Sequence, residues 1–100
     1  MSIIGKWRPF WSSRPNSNYD GEIYACEYTR SGLYIQEYPP FKEGETPVKV
    51  TIKCQYCEGK VRHFMNGGTV LDFIYNIDEN DVLTISNRRG DIWKLERVAK

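Results

Sequence analysis

Short stretches of alternating hydrophobic and polar residues recur along the chain and end at turn-forming residues. The clearest stretch begins at Val48 and continues to Tyr56, with apolar side chains at positions 48, 50, 52 and 54 and polar ones between them. Because successive side chains of a strand point to opposite faces, this pattern predicts a strand with one buried face. No window of eleven or more residues carries the spacing of an amphipathic helix. The sequence therefore predicts strands, with helices no longer than single turns.

Turn-forming residues divide the chain into eight predicted strands. These strands are Ile4 to Phe10, Glu22 to Thr29, Leu33 to Tyr38, Val48 to Tyr56, Lys60 to Met65, Val70 to Ile77, Val82 to Ser86 and Asp91 to Val98. Pro9 and the polar segment after it are expected to stop the first strand. The short connections favour a meander over a two-sheet sandwich, whose Greek-key topology needs a long return connection. The fold class predicted for residues 1–100 is thus all-β, a single antiparallel up-and-down barrel.

Composition and charge narrow the classes of partner. Of the 100 residues, 40% are hydrophobic and 27% are charged, and the formal net charge is +1. This balance is typical of a globular domain and gives no bulk attraction to nucleic acid or to an anionic membrane. We therefore expect no nucleic-acid partner and no membrane insertion. Because the N-terminal segment lacks a signal-peptide pattern, we expect a cytoplasmic protein, or a mature one whose leader has been removed.

The two ends of the chain carry motifs that resemble those of lipocalins and related calycins. Gly5-Lys6-Trp7 is similar to the Gly-x-Trp signature of the first lipocalin strand, and Arg97 stands in a segment similar to the last strand. Segment 73–85 resembles the hairpin before the last strand in small bacterial lipocalin-like domains. Lipocalins are longer and pack a helix against the barrel, for which this chain has no candidate. The resemblance implies an eight-stranded barrel with a ligand cavity, closed at one end by Trp7 with Arg97 stacked across its ring in a structural role.

Tyrosines on neighbouring strands are the candidate binding surface. Tyr24, Tyr28, Tyr34 and Tyr38 share one face of the second and third predicted strands. Either they line the barrel with their hydroxyls directed at a bound molecule, or they form an outer patch for a protein partner, or they simply suit a sheet surface. Base stacking is disfavoured by the lack of basic excess. We favour the interior position, with His63 as a further ligand-binding candidate.

Cysteine spacing raises the possibility of a metal site. Cys54-Gln-Tyr-Cys57 has the spacing of a zinc knuckle, but only Cys26 and His63 remain as further ligands. In a regular strand residues i and i+3 face opposite sides, so Cys54 is expected in the core and Cys57 at a turn. We predict reduced cysteines, no metal site and no cofactor.

Catalytic groups do not stand at any recognisable motif spacing. The single histidine, His63, has no serine or cysteine partner at such a spacing, so no catalytic residue is assigned. The sequence favours a non-enzymatic protein that binds a small-molecule ligand in, or at the mouth of, the barrel. The alternative is a compact protein–protein interaction module or inhibitor that uses exposed aromatics and loops. An interior void above about 300 Å³ would favour the first, and a filled interior with an outer aromatic patch the second.

Overall fold

The computed structural model describes residues 2–13, 25–38 and 44–98, which form eight strands and no helix. The strands are β1 (Gly5–Ser12), β2 (Ala25–Tyr28), β3 (Leu33–Tyr38), β4 (Val48–Cys57), β5 (Lys60–Phe64), β6 (Val70–Ile77), β7 (Val82–Ser86) and β8 (Ile92–Arg97). Each strand pairs antiparallel with the next, and β1 pairs with β8 to close the barrel. The predicted up-and-down barrel is confirmed. These residues include no helix long and apolar enough to cross a membrane.

The first strand differs from its prediction. β1 passes through Pro9 and continues to Ser12, so the expectation that Pro9 ends the strand is wrong. Pro9 lies opposite Leu95, and the register with β8 shifts between Pro9 and Trp11. Such a bulge accommodates a proline, because the ladder is locally interrupted where the missing N–H would have been needed. The predicted start of the second strand, Glu22, lies outside the described residues.

The closed end of the barrel is centred on a buried tryptophan. Trp7 is 0% exposed, and its Nε1 donates a hydrogen bond to the carbonyl of Ile3 at 2.8 Å. Leu83 and Leu95, which are 0% and 1% exposed, belong to the same buried cluster. The guanidinium of Arg97 lies over the Trp7 ring, 4.1 Å from its centroid. The contact that the resemblance implies is therefore present, and it closes this end of the core.

The contacts of Arg97 explain why residue 5 is a glycine. Arg97 donates from Nη1 to the carbonyl of Ile4 at 3.1 Å, from Nη2 to the carbonyl of Ser2 at 2.9 Å, and from Nε to the carboxylate of Asp81 at 2.6 Å. A Cβ at Gly5 would lie 2.6 Å from Arg97 Nη1, and the φ of Gly5 is +137°, a value that residues with side chains rarely adopt. The Gly-x-Trp pattern therefore lets the guanidinium approach the backbone.

Candidate functional site

The half of the barrel away from Trp7 holds an interior cavity of about 210 Å³. Its lining consists of Tyr28, Tyr34, Gln36, Val50, Ile52, His63, Met65, Leu71, Phe73, Ile85 and Trp93. The cavity is smaller than the void of about 300 Å³ expected of an open carrier. The interior is therefore neither hollow throughout nor filled throughout. It is filled around Trp7 and hollow in the opposite half.

The mouth of this cavity is apolar. Val48 and Val50 share the strand phase of buried Ile52, yet they are 44% and 39% exposed. Met65 and Leu71 line the cavity together with Val50, and they are 36% and 40% exposed. Inward-facing positions of a small barrel are ordinarily filled with packed side chains. These four side chains instead leave an exposed apolar rim.

Aromatic rings from several strands meet inside the cavity. The hydroxyl of Tyr28 lies 3.0 Å from Nε2 of His63, and the ring of Tyr34 stacks on His63 with a centroid distance of 4.4 Å and an interplanar angle of 20°. Phe73 lies 4.6 Å from His63 and 6.4 Å from Trp93, measured between ring centroids. The strand register explains this meeting, because Tyr28 lies opposite Tyr34 on neighbouring strands. The cavity thus has flat aromatic walls.

Electrostatically, the cavity is neutral. Burial lowers the pKa of His63 from its usual 6.5 to about 4, so the imidazole is uncharged near pH 7. The described lining contains no lysine, arginine, aspartate or glutamate. A neutral imidazole has one donor and one acceptor nitrogen. Nε2 of His63 bonds Tyr28, while Nδ1 has no partner in the described part of the chain.

A short hydrogen-bonded chain forms the polar side of the mouth. Nε2 of Gln36 donates to the hydroxyl of Tyr34 at 3.2 Å, and the hydroxyl of Tyr38 donates to Oε1 of Gln36 at 2.9 Å. These two hydrogen bonds connect three side chains of β3 and hold the Tyr34 ring in position. They link the wall of the cavity to Tyr38, which is half-buried.

The structure brings together some of the predicted ligand-binding residues and separates others. Tyr28, Tyr34 and His63 are buried and line one cavity. Tyr38 reaches it through a hydrogen-bonded neighbour, and Tyr24 lies outside the described residues. The role of all five residues in binding stays a prediction, while the placement of Tyr28, Tyr34 and His63 agrees with the interior position.

Gln36, Phe73 and Trp93 are among the lining residues that the sequence analysis did not identify. The signal for Gln36 was its strand phase, two residues after Tyr34 on the same face. Phe73 gave no such signal, because β6 carries apolar side chains in both phases, as in Leu71, Phe73 and Ile74. The sequence places Trp93 in the last strand but carries no signal that it lines the cavity.

Cys54 lies in the core and Cys57 on the opposite face, as expected, but Cys57 still belongs to the strand and not to the turn after it. Cys54 is buried and Cys57, the last residue of β4, is exposed, and Cys26 is buried as well. Burial raises the pKa of Cys54 and raises that of Cys26 to about 12, which disfavours the thiolates that bind metals. Within the described ranges, no cluster of three His, Cys, Asp or Glu side chains could hold a metal ion. The metal-free state of the protein stays a prediction.

Comparison with known proteins assigns no family. No protein-family model, no curated protein and no solved structure significantly matches the chain. The barrel is consistent in strand number and order with a lipocalin-like barrel. The function is therefore inferred from the geometry of the cavity and its mouth.

Proposed function

We propose that the protein is a non-enzymatic binding protein, a lipocalin-like barrel that holds a small uncharged ligand in and at the mouth of its cavity. The observation that carries this proposal is the apolar rim, whose inward-facing side chains such as Val50 and Leu71 are 39% and 40% exposed beside a neutral cavity. A bound ligand would cover this surface and gain the corresponding hydrophobic free energy.

The size and charge of the cavity restrict the ligand. An apolar cavity of about 150 Å³ is large enough for benzene, so this cavity of about 210 Å³ has room for one ring with a small substituent. Longer ligands would extend into the mouth. A charged group would be buried without a counter-charge, which is strongly unfavourable. We therefore infer a neutral, ring-sized ligand portion.

One polar group on the ligand would fix its orientation. Nδ1 of His63 and the hydroxyls of Tyr28 and Tyr34 are among the polar groups of the aromatic wall. Few convergent polar groups in an apolar pocket are typical of small-molecule sites. We assign these residues a binding role and no catalytic one.

Three probes of matched shape test the ligand class. We expect 4-methylphenol to bind most tightly in calorimetric titrations, toluene about fivefold more weakly because it lacks a hydrogen bond, and 4-methylbenzoate not detectably. Native mass spectrometry of the purified protein would show in addition whether a ligand remains bound. Equal binding of the carboxylate and the phenol would contradict the proposed neutral site.

Removing hydroxyls tests the residues. The double variant Tyr28→Phe with Tyr34→Phe conserves the rings, so we expect an intact fold and loss of the preference for 4-methylphenol over toluene. Tyr75→Phe is the matched control, because Tyr75 is a half-buried tyrosine that does not line the cavity. If binding survives both this change and alanine at positions 28 and 34, the site lies elsewhere.

The second candidate is an interaction module that uses exposed aromatics. Phe10 and Trp11 on β1 are 53% and 45% exposed, and Nζ of Lys94 lies 5.4 Å from the Trp11 ring centroid. Exposed tryptophans are enriched as anchors of protein interfaces. This function would be favoured if none of the three probes binds and Trp11→Ala abolishes binding of a protein partner.

A further inference from the structure

The outer wall of the barrel carries a groove of about 430 Å³, which is separate in character from the neutral interior cavity. Its lining consists of Gln55, Cys57, Lys60, Val61, Arg62, Asp72, Phe73, Ile74, Ser86, Asn87 and Arg88. These residues come from β4, β5, β6, the end of β7 and the turn that follows. The groove therefore extends across β5 and β6 to the turn after β7, next to the last β6–β7 pair, in which Ile74 lies opposite Ser86.

One edge of β6 is open at this groove. On its first side, β6 pairs with β5 from Val70 to Ile74. On its second side, the pairing with β7 extends from Ile74, opposite Ser86, to Ile77. The segment 70–73 thus has a strand neighbour on one side only among the described residues. An unpaired strand edge is a template for a further strand.

The hydrogen bonds of β6 show which backbone groups face the groove. The amide of Tyr75 donates to the carbonyl of Gly59 at 2.9 Å, and the carbonyl of Thr69 accepts from the amide of Met65 at 2.8 Å. Both bonds lie on the β5 side. Because backbone groups of alternate residues point to opposite neighbours in an antiparallel sheet, those of Val70 and Asp72 point away from β5. They face the open edge.

The side chains around this edge have an excess of positive charge. Lys60, Arg62 and Arg88 line the groove together with one acidic residue, Asp72. Arg62 binds that carboxylate through Nε at 2.7 Å and Nη2 at 3.4 Å. The pKa of the Asp72 carboxyl is lowered, chiefly by its hydrogen bond to Arg62 and to a lesser extent by the charges of Arg62, Arg88 and Lys60. Among the described residues, Lys60 and Arg88 have no carboxylate partner and are the two cations of the lining that a ligand could bind.

An exposed apolar side chain stands between the charges. Ile74 lies directly opposite Lys60 on β5 and is 63% exposed, the highest exposure among the large hydrophobic residues that the structure describes. Because directly opposite residues of neighbouring strands point to the same face, Ile74 lies on the outer face together with Lys60. Side chains of an added strand alternate between the two faces, so an acidic residue at every second position would place the carboxylates on this outer face. The apolar residues between them would point to the inner face, which Leu71 of β6 shares.

We propose that this groove binds an extended acidic peptide segment of a partner protein, which adds to β6 along Val70 and Asp72 and places its carboxylates near Lys60 and Arg88. The open edge favours a peptide over a small anion, since only a peptide uses the backbone groups of the strand. The proposal does not rest on the proposed function of the cavity, although Phe73 lines both the groove and the cavity.

Fluorescence anisotropy with a labelled hexapeptide of alternating glutamate and valine tests the proposal. We expect this peptide to bind, the matching lysine–valine peptide to bind at least about tenfold more weakly, and N-methylation at alternate residues to abolish binding. Arg88→Glu should weaken binding about fivefold. Arg30→Glu, the same reversal in the exposed turn between β2 and β3, is the matched control and should leave it unchanged.

Several results would overturn the proposal. Equal affinities for the acidic and basic peptides would remove the charge recognition, and full binding of the N-methylated peptide would remove strand addition. Complete displacement by inorganic phosphate would indicate a simple anion site. Sedimentation that shows a dimer lost on Arg88→Glu would identify a second copy of the chain as the occupant. Binding of 4-methylphenol to the cavity is measured separately. If the peptide does not bind the groove, the proposal for the cavity is therefore unaffected.

Discussion

At both ends of the barrel, apolar side chains alternate with polar ones and point inward. The two ends differ in how far these inward-facing side chains are covered by the rest of the protein. At the closed end, Trp7, Leu83 and Leu95 are between 0% and 1% exposed. At the mouth, Val50 and Leu71 face the same interior and are 39% and 40% exposed. Sequence alternation thus determines which face of a strand is inward. The position along the strand determines whether that face is covered.

We attribute stability to the closed end and propose binding at the mouth. Complete burial of a large apolar side chain contributes about 1.5 to 3 kcal/mol, and partial exposure forgoes part of it. At the closed end, Arg97 adds hydrogen bonds to two backbone carbonyls and a contact with the Trp7 ring. At the mouth, an apolar rim gains free energy only when a ligand covers it.

The largest effect is expected when leucine is replaced by alanine at the closed end and, for comparison, at the mouth. Leu83→Ala should lower the free energy of unfolding by about 3 kcal/mol, because it leaves a cavity in a packed core. Leu71→Ala should lower it by less than about 1 kcal/mol, because that side chain is partly exposed. Urea denaturation monitored by circular dichroism measures both. Similar losses at the two positions would break the division between the ends.

The next effect is a pH dependence of the free energy of unfolding, which arises from His63 in the cavity. Burial holds the pKa of His63 near 4 in the folded protein against its usual 6.5, so the unfolded chain takes up this proton first. Stability is therefore fully present above pH 6.5 and falls by about 3 kcal/mol as the pH decreases towards 4.

The control for this dependence is His63→Gln, which cannot take up the proton. The difference in unfolding free energy between the two proteins should change with pH between 6.5 and 4 and become constant below that range. A difference that is independent of pH would show that the imidazole keeps its usual pKa in the folded state, as an exposed histidine does.

The smallest effect concerns the coupling of Trp7 and Arg97. A double-mutant cycle with Trp7→Leu and Arg97→Leu should give a coupling energy of about 1 kcal/mol, because the guanidinium is partly desolvated over the ring. Both single variants should leave the relative affinities for 4-methylphenol and toluene unchanged. Additive losses would mean that the two residues stabilise the closed end independently.

Much of the barrel was predictable from local signals. The limits of Leu33–Tyr38, Val70–Ile77 and Val82–Ser86 agree with the predicted strands, because turn residues delimit each of them. The bulge after Pro9 was not predictable, since it depends on the pairing of β1 with β8, which are distant in sequence. Local propensity indicates where a strand lies, whereas irregularities such as this bulge depend on the strand with which it pairs.

The candidate site was predictable only in part for the same reason. The shared phase of Tyr28 and Tyr34 indicated a common face, and the structure places both rings in the cavity. The hydrogen bond from Tyr28 to His63 joins residues 35 positions apart, so only the register of the barrel brings them together. The open edge at Asp72 likewise follows from the unequal pairing on the two sides of β6.

A titration of the ¹⁵N-labelled protein with 4-methylphenol, followed residue by residue by NMR, tests the central claim most directly. The account predicts saturable shifts at Gln36, His63 and Leu71, and unchanged signals at Leu83 and Leu95 around the closed end. Absence of shifts at saturating probe, or shifts confined to the outer wall or the closed end, would contradict it.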